Sequence, residues 1–256
     1  MSRFADKLRS LSKSSTAPIG FRSAVSEARS PALLLIVGLA GTQVMEAKIV
    51  ADVNADAGVL MSEGASAKTV GQVVEAVGDI PLGVFVRGMS ENEIDELGNS
   101  GCDFVVFDVK GSAAILRKAE VGKFLMIEPS LDQGLVRAVN SFEVDGVFIS
   151  SGGDPVMAVE HLLVCRRFVE LLEKPVVMTL PSLATMEELT ALWQAGVDGV
   201  IVRSAQSAEA LVELKRMIGN LPRAARGRHT ETGVVLPHYG GGVVGEEDEQ
   251  EEEIVP

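Results

Sequence analysis

Short apolar runs rich in Val, Ile and Phe recur along this chain, each followed by a stretch where apolar residues return every three or four positions. Runs of about four to eight such residues read as strands, and the 3.6-residue period between them reads as amphipathic helix. The pattern predicts strands at Ala32–Val37, Gly58–Ser62, Leu82–Arg87, Phe104–Asp108, Phe124–Glu128, Gly146–Ser150, Val176–Thr179 and Gly199–Arg203. Helical patterns follow them at roughly 43–53, 66–77, 90–99, 111–119, 131–141, 155–173, 184–195 and 207–219. The stretch from Lys174 to Ser204, KPVVMTLPSLATMEELTALWQAGVDGVIVRS, shows the unit most clearly. Two strands flank a helix in which Met186, Leu189, Leu192 and Trp193 share a face, and Gly196 ends that helix. Buried strands joined in this way lie parallel, because the crossover is right-handed and packs its helix on the sheet.

A second period overlies the first. The even strands open alike (NADAGVLM, GCDFVVFD, EVDGVFIS, GVDGVIVR), each behind an aspartate: Asp56, Asp103, Asp145 and Asp198. Odd strands open after Pro31, Pro81 and Pro175, with GKFLMIE the exception. The aspartates are 47, 42 and 53 residues apart, the length of a double strand–helix unit. Four double units close into a (β/α)8 TIM barrel with no sheet edge, whereas an open doubly wound sheet leaves two. The expected fold class is therefore α/β, a barrel over residues 31–222. The aspartates stand at strand starts, the end of a barrel where stability is built, so they are expected to cap backbone amides.

The segments outside the repeat read differently. SRFADKLRSLS (residues 2–12) forms an amphipathic helix with Phe4, Leu8 and Leu11 on one face, and a Pro- and Gly-containing connector carries it to residue 30. We expect this helix to cap the barrel rather than to act as a targeting peptide, since no hydrophobic signal core accompanies it. Residues 223–256 combine a basic cluster, a Gly-rich stretch and an acidic run, the composition of a flexible tail.

Composition adds limits. The net charge is −13 over 256 residues, and seven acids between Glu246 and Glu253 leave −6 for the rest. An acidic body argues against nucleic acid as partner. Two cysteines inside apolar runs, Cys102 and Cys165, suit a reducing cytoplasm rather than a disulfide framework. No run approaches the roughly 20 apolar residues of a membrane span. His161, His229 and His238 form no metal-ligand spacing, so no metal is expected.

In a barrel, chemistry sits at the C-terminal strand ends. There the chain places Lys110, Asp108 and Glu128, the candidate catalytic set. Asp108 and Lys110 are two apart, so an extended segment would aim them the same way. A lysine beside carboxylates serves as Schiff-base nucleophile or proton carrier when burial lowers its pKa, and a neighbouring carboxylate serves as acid or base. The bland alternative is an ion-pair network tying strand ends together. Candidate anion-binding residues are Arg87, Arg203, Ser204 and Ser182, with Ser151, Gly152 and Gly153 in the SSGGDP loop. Two glycines opening onto a helix let backbone amides approach an anion, while Asp154-Pro155 reads equally as an N-cap followed by Pro. GLAGT (Gly38 to Thr42) repeats the idea after the first strand but is not a dinucleotide fingerprint.

TLPSLATMEELTALWQAGVDGVIV (Thr179 to Val202) resembles the last quarter of aldolase-type, phosphate-binding TIM barrels, which include indole-glycerol-phosphate and thiamin-phosphate synthases and FMN-linked oxidoreductases. In that family the seventh strand ends in a Gly-Gly loop and the eighth ends in Gly. LWQAGVDGVIV matches the family's helix end and eighth strand, but the phosphate-binding glycines are replaced by Leu180-Pro181-Ser182-Leu183 and by Arg203-Ser204. Asp108-Val109-Lys110 is also similar to part of the D-x-K-x-x-D motif of orotidine-phosphate decarboxylases, whose second Asp is Ala113 here. The resemblance implies a lyase or isomerase acting on a small anionic or phosphorylated metabolite. The alternatives are an inactive barrel serving as a binding or assembly subunit and an FMN-linked oxidoreductase. The missing glycines disfavour FMN, and no other cofactor is expected. Such barrels often associate as homo-oligomers, though no feature sets a subunit number.

Overall fold

Each strand is buried on both faces along nearly its whole length, which is why its sequence is an unbroken apolar run rather than an alternation. The computed structural model describes residues 2–14, 31–41, 44–62, 65–118, 120–152 and 155–222. The strands are β1 (Leu34–Leu39), β2 (Ala57–Leu60), β3 (Leu82–Val86), β4 (Phe104–Asp108), β5 (Gly122–Ile127), β6 (Gly146–Ile149), β7 (Val176–Thr179) and β8 (Gly199–Arg203). The helices are α1 (Arg3–Ser14), α2 (Val44–Asp52), α3 (Ala67–Val77), α4 (Glu91–Asn99), α5 (Gln133–Ala138), α6 (Val159–Leu171), α7 (Met186–Gln194) and α8 (Ala208–Gly219). Neighbouring strands pair in parallel and β8 returns to β1, closing the barrel and excluding the open sheet.

Three expected helices differ. The pattern over 111–119 is a single 3₁₀ turn, Ala113–Arg117, because the crossover from β4 to β5 is short and begins with a turn at Val109–Lys110. The pattern over 131–141 is α5 followed by a 3₁₀ turn, Val139–Ser141. α6 starts at Val159, so Pro155 is not its first residue and the Gly-rich loop does not open directly onto a helix. Asp154, Gly153, Glu63, Thr42, the connector over 15–30 and the tail over 223–256 lie outside the described residues.

The apolar side chains form two cores. One lies between sheet and helices, and the other fills the barrel with Ile36, Val59, Phe85, Val106, Val177 and Ile201 above the rings of Phe104, Phe124 and Phe148. The lower end of that inner core is completed from outside the repeat. α1 inserts Phe4 and Leu8, both fully buried, and the Phe4 ring stacks 4.7 Å from Phe104 and 5.1 Å from Phe124. Glycines make the room: a Cβ at Gly122 would meet Ser2 at 2.6 Å, and one at Gly83 would meet the Phe104 ring at 2.1 Å.

The repeated aspartates cap backbone amides as their position predicts. Asp56, Asp145 and Asp198 each accept the N–H of the paired residue on the preceding odd strand, from Leu35 (2.8 Å), Lys123 (2.9 Å) and Val176 (2.9 Å). Asp103 breaks the series. Its carboxylate turns to the first turn of α1, accepting from Ser2 Oγ (2.7 Å) and from the N–H groups of Arg3 (2.9 Å) and Phe4 (3.0 Å). One member of a fourfold cap has become the anchor of the helix that plugs the barrel. Lys7, on the same helix, donates to the Asp56 carbonyl at 2.9 Å, and Arg9 pairs with Asp145.

Candidate functional site

Strand alternation decides which side chains reach the mouth. Val59, Phe85, Val106, Phe148, Val177 and Ile201 point into the barrel, so two residues further on the same side stand Met61, Arg87, Asp108, Ser150, Thr179 and Arg203. This is a polar rim on an apolar floor. Gly38 pairs in register with Arg203, and a Cβ there would make ordinary contact with Ile201 and Met61.

Arg87 and Asp108 are brought together. Val86 pairs with Phe107 across β3 and β4, which sets the next residues side by side, and Arg87 Nε donates to Asp108 Oδ2 at 3.2 Å. The guanidinium lies over the Phe85 ring at 5.5 Å. Asp108 Oδ1 accepts the Lys110 backbone N–H at 2.9 Å, so the segment turns instead of extending. The Lys110 ammonium makes no ion pair with the carboxylate it was expected to face. Lys110 is exposed and has no ion-pair partner among the described residues, so the Lys–Asp–Glu network does not form. Glu128 stands exposed just past β5, and Arg203 exposed at the end of β8, neither ion-paired among the described residues.

Ser150, Ser151 and Gly152, the described start of the SSGGDP loop, are held internally. Gly152, at φ 70°, donates to Ser150 Oγ at 3.2 Å. Ser151 is buried, and its carbonyl accepts from Nε2 of His161 at 3.1 Å. The other ring nitrogen, Nδ1, accepts the Ala158 N–H at 2.9 Å, which assigns the proton to Nε2. His161 is thus a packed residue fixing the loop to α6. Ser182 is half-buried beyond β7.

Thr179, the strand-end residue of β7, has its hydroxyl buried at the inward rim with no hydrogen-bond partner among the described residues. One feature escaped the sequence reading: Glu46, in the first turn of α2, whose Oε2 accepts from the Gly41 N–H at 3.2 Å and from Ser204 Oγ at 3.1 Å. The signal for it was present, since a Glu at the third helical position habitually folds back on the preceding loop. GLAGT does therefore offer a backbone amide to an anion, and the chain itself supplies the carboxylate. Burial excludes both cysteines as nucleophiles, pushing the Cys102 and Cys165 thiols up to about 12. No group of three His, Cys, Asp or Glu among the described residues could hold a metal ion, and no described helix is long and apolar enough to cross a membrane.

No protein-family model and no curated protein matches the chain. Solved structures do. A mutant tryptophan synthase alpha-subunit from the hyperthermophile Pyrococcus furiosus superposes with a TM-score of 0.60 at 15% identity, covering 73% of this chain and 96% of the other. A second structure of that subunit gives 0.59 at 16% identity with the same coverage. The chain has the aldolase-type TIM-barrel fold. At such identities the likeness extends to the fold alone. At the seventh and eighth strand ends the chain carries Leu180-Pro181-Ser182-Leu183 and Arg203-Ser204.

Proposed function

We propose that this barrel takes a small anionic metabolite at its C-terminal mouth and works on it as a lyase or isomerase. The observation that carries the reading is the buried Thr179 hydroxyl, without a partner among the described residues and set in the same rim as Arg203 and the Arg87–Asp108 pair. A buried hydroxyl left unpaired costs about 1–3 kcal/mol, so a ligand accepting from it gains that amount. Arg203 supplies the opposing charge; Ser182, Ser151 and Gly152 border the same mouth, and Asp108 holds Arg87 in orientation. Lys110 and Glu128, on adjacent strand ends, are the proton carriers, with Asp108 the second carboxylate of the set.

The test is thermal unfolding against phosphorylated sugars, carboxylates and FMN. A ligand at 100 times its dissociation constant adds about 2.7 kcal/mol. A shift that disappears in both Arg203→Ala and Thr179→Val supports the reading; a shift indifferent to both overturns it. Where turnover is found, Lys110→Met should abolish it.

A second reading, a barrel serving as a binding or assembly subunit, is favoured by the exposed Lys110 and by Glu46 occupying donors at the mouth. Absence of any shift across the panel, together with a partner retained by the full chain, would select it. Uptake of FMN, visible as a yellow protein, would select an oxidoreductase instead.

A further inference from the structure

Three segments meet at the corner between β8 and β1. Gly41 offers its N–H from the loop after β1, Ser204 offers its hydroxyl from the loop after β8, and both converge on one oxygen of Glu46 at 3.2 and 3.1 Å. The arrangement is braced, since the Ser204 N–H donates to the Gly38 carbonyl at 2.7 Å. Ser204 is only 7% exposed, so its hydroxyl cannot turn to bulk water when its acceptor is removed. A backbone amide and a buried hydroxyl aimed at one point form an oxyanion-binding arrangement, and the occupant is a carboxylate from the chain itself.

We propose that the β8–β1 corner is an oxyanion subsite filled in cis by Glu46, and that neutralising or removing this carboxylate admits phosphate or sulfate. Two anions cannot share these donors, because the second would sit beside a like charge in a half-buried setting. Glu46 therefore acts as a specificity-determining residue, closing this corner to a phosphoryl group while leaving the rim around Thr179 and Arg203 accessible. The inference goes beyond the proposed activity and stands apart from it: it turns on Glu46 and Ser204, whereas that reading turns on Arg203 and Thr179.

The experiment measures the unfolding midpoint and ³¹P line width of the full chain with inorganic phosphate, against sodium chloride of equal ionic strength, and separately with a phosphorylated sugar. Wild type should show no saturable response assignable to this corner. Glu46→Ala should bind inorganic phosphate about tenfold more tightly or better, and Ser204→Ala in that background should remove the gain. A response to the sugar phosphate alone in Glu46→Ala places the phosphoryl group of a larger ligand in the corner; a response to both identifies free phosphate as sufficient. A folded Glu46→Ala that binds neither, or a gain that survives Ser204→Ala, overturns the proposal. If Glu46→Ala does not fold, phosphate in the refolding buffer should restore its yield where chloride does not, and failure of that rescue overturns it equally. Glu46→Gln, which keeps an acceptor oxygen but no charge, should show an intermediate gain.

Discussion

The Asp103 carboxylate accepts the Ser2 hydroxyl at 2.7 Å across 101 positions of sequence, and in doing so fixes the helix that closes the barrel floor. Asp103→Ala leaves that hydroxyl and the Arg3 and Phe4 amides without their acceptor. Loss of a helix cap with partly buried donors costs about 1–3 kcal/mol. Urea unfolding should show a lowered midpoint with an unchanged slope. A change under half a kilocalorie would mean that packing alone seats α1.

Packing contributes more than the cap. Phe4 is fully buried against Phe104, Phe124 and Phe148, so Phe4→Ala should cost about 3–5 kcal/mol. Deleting residues 2–14 should expose the ring cluster to solvent, read as new binding of a hydrophobic dye in a chain that keeps its barrel circular dichroism.

Glycine substitutions should divide by position. Gly83→Ala puts a Cβ 2.1 Å from the Phe104 ring and should destabilise by at least the ~1–3 kcal/mol typical of overpacking. Gly71 sits within α3, where a Cβ would find its nearest neighbour at 3.9 Å. Gly71→Ala should therefore raise stability by about 0.5–1 kcal/mol. Equal effects at the two positions would contradict the packing described.

Burial of the thiols sets a chemical prediction. With pKa values pushed from 9.0 to about 12, Cys102 and Cys165 should resist disulfide reagents at pH 8 while folded and react fully once unfolded. The folded chain also keeps thiol protons that the unfolded chain releases above pH 9, so this contribution to stability is lost as pH rises from about 9 toward 12. Rapid labelling of the native protein at pH 8 would refute the burial of these residues.

What could be read from the sequence was whatever the burial of whole strands imposes. Eight apolar runs, the aspartate before each even strand and the Phe4–Leu8 face all have their counterparts in the barrel, its caps and its plug. Less legible was whatever depends on a competition among neighbours. The residues after Asp108 carry a helical pattern, yet the short crossover leaves space for one 3₁₀ turn. Lys110 and Asp108 share a spacing that would align them in a strand, but the strand has ended and the carboxylate takes the Lys110 amide and Arg87 instead. Asp103 has the same local sequence context as its three counterparts, and only the arrival of α1 distinguishes it. Glu46 looked like any acid in a first helical turn until Ser204 was brought to it from 158 residues away.

The plug has a consequence for biosynthesis. α1 precedes every strand, yet its seat is made by Asp103, Phe104, Phe124 and Phe148. A growing polypeptide must therefore carry an undocked helix, with Phe4 and Leu8 uncovered, until β6 has left the ribosome. An element translated before every strand of the barrel is among the last that can find its place.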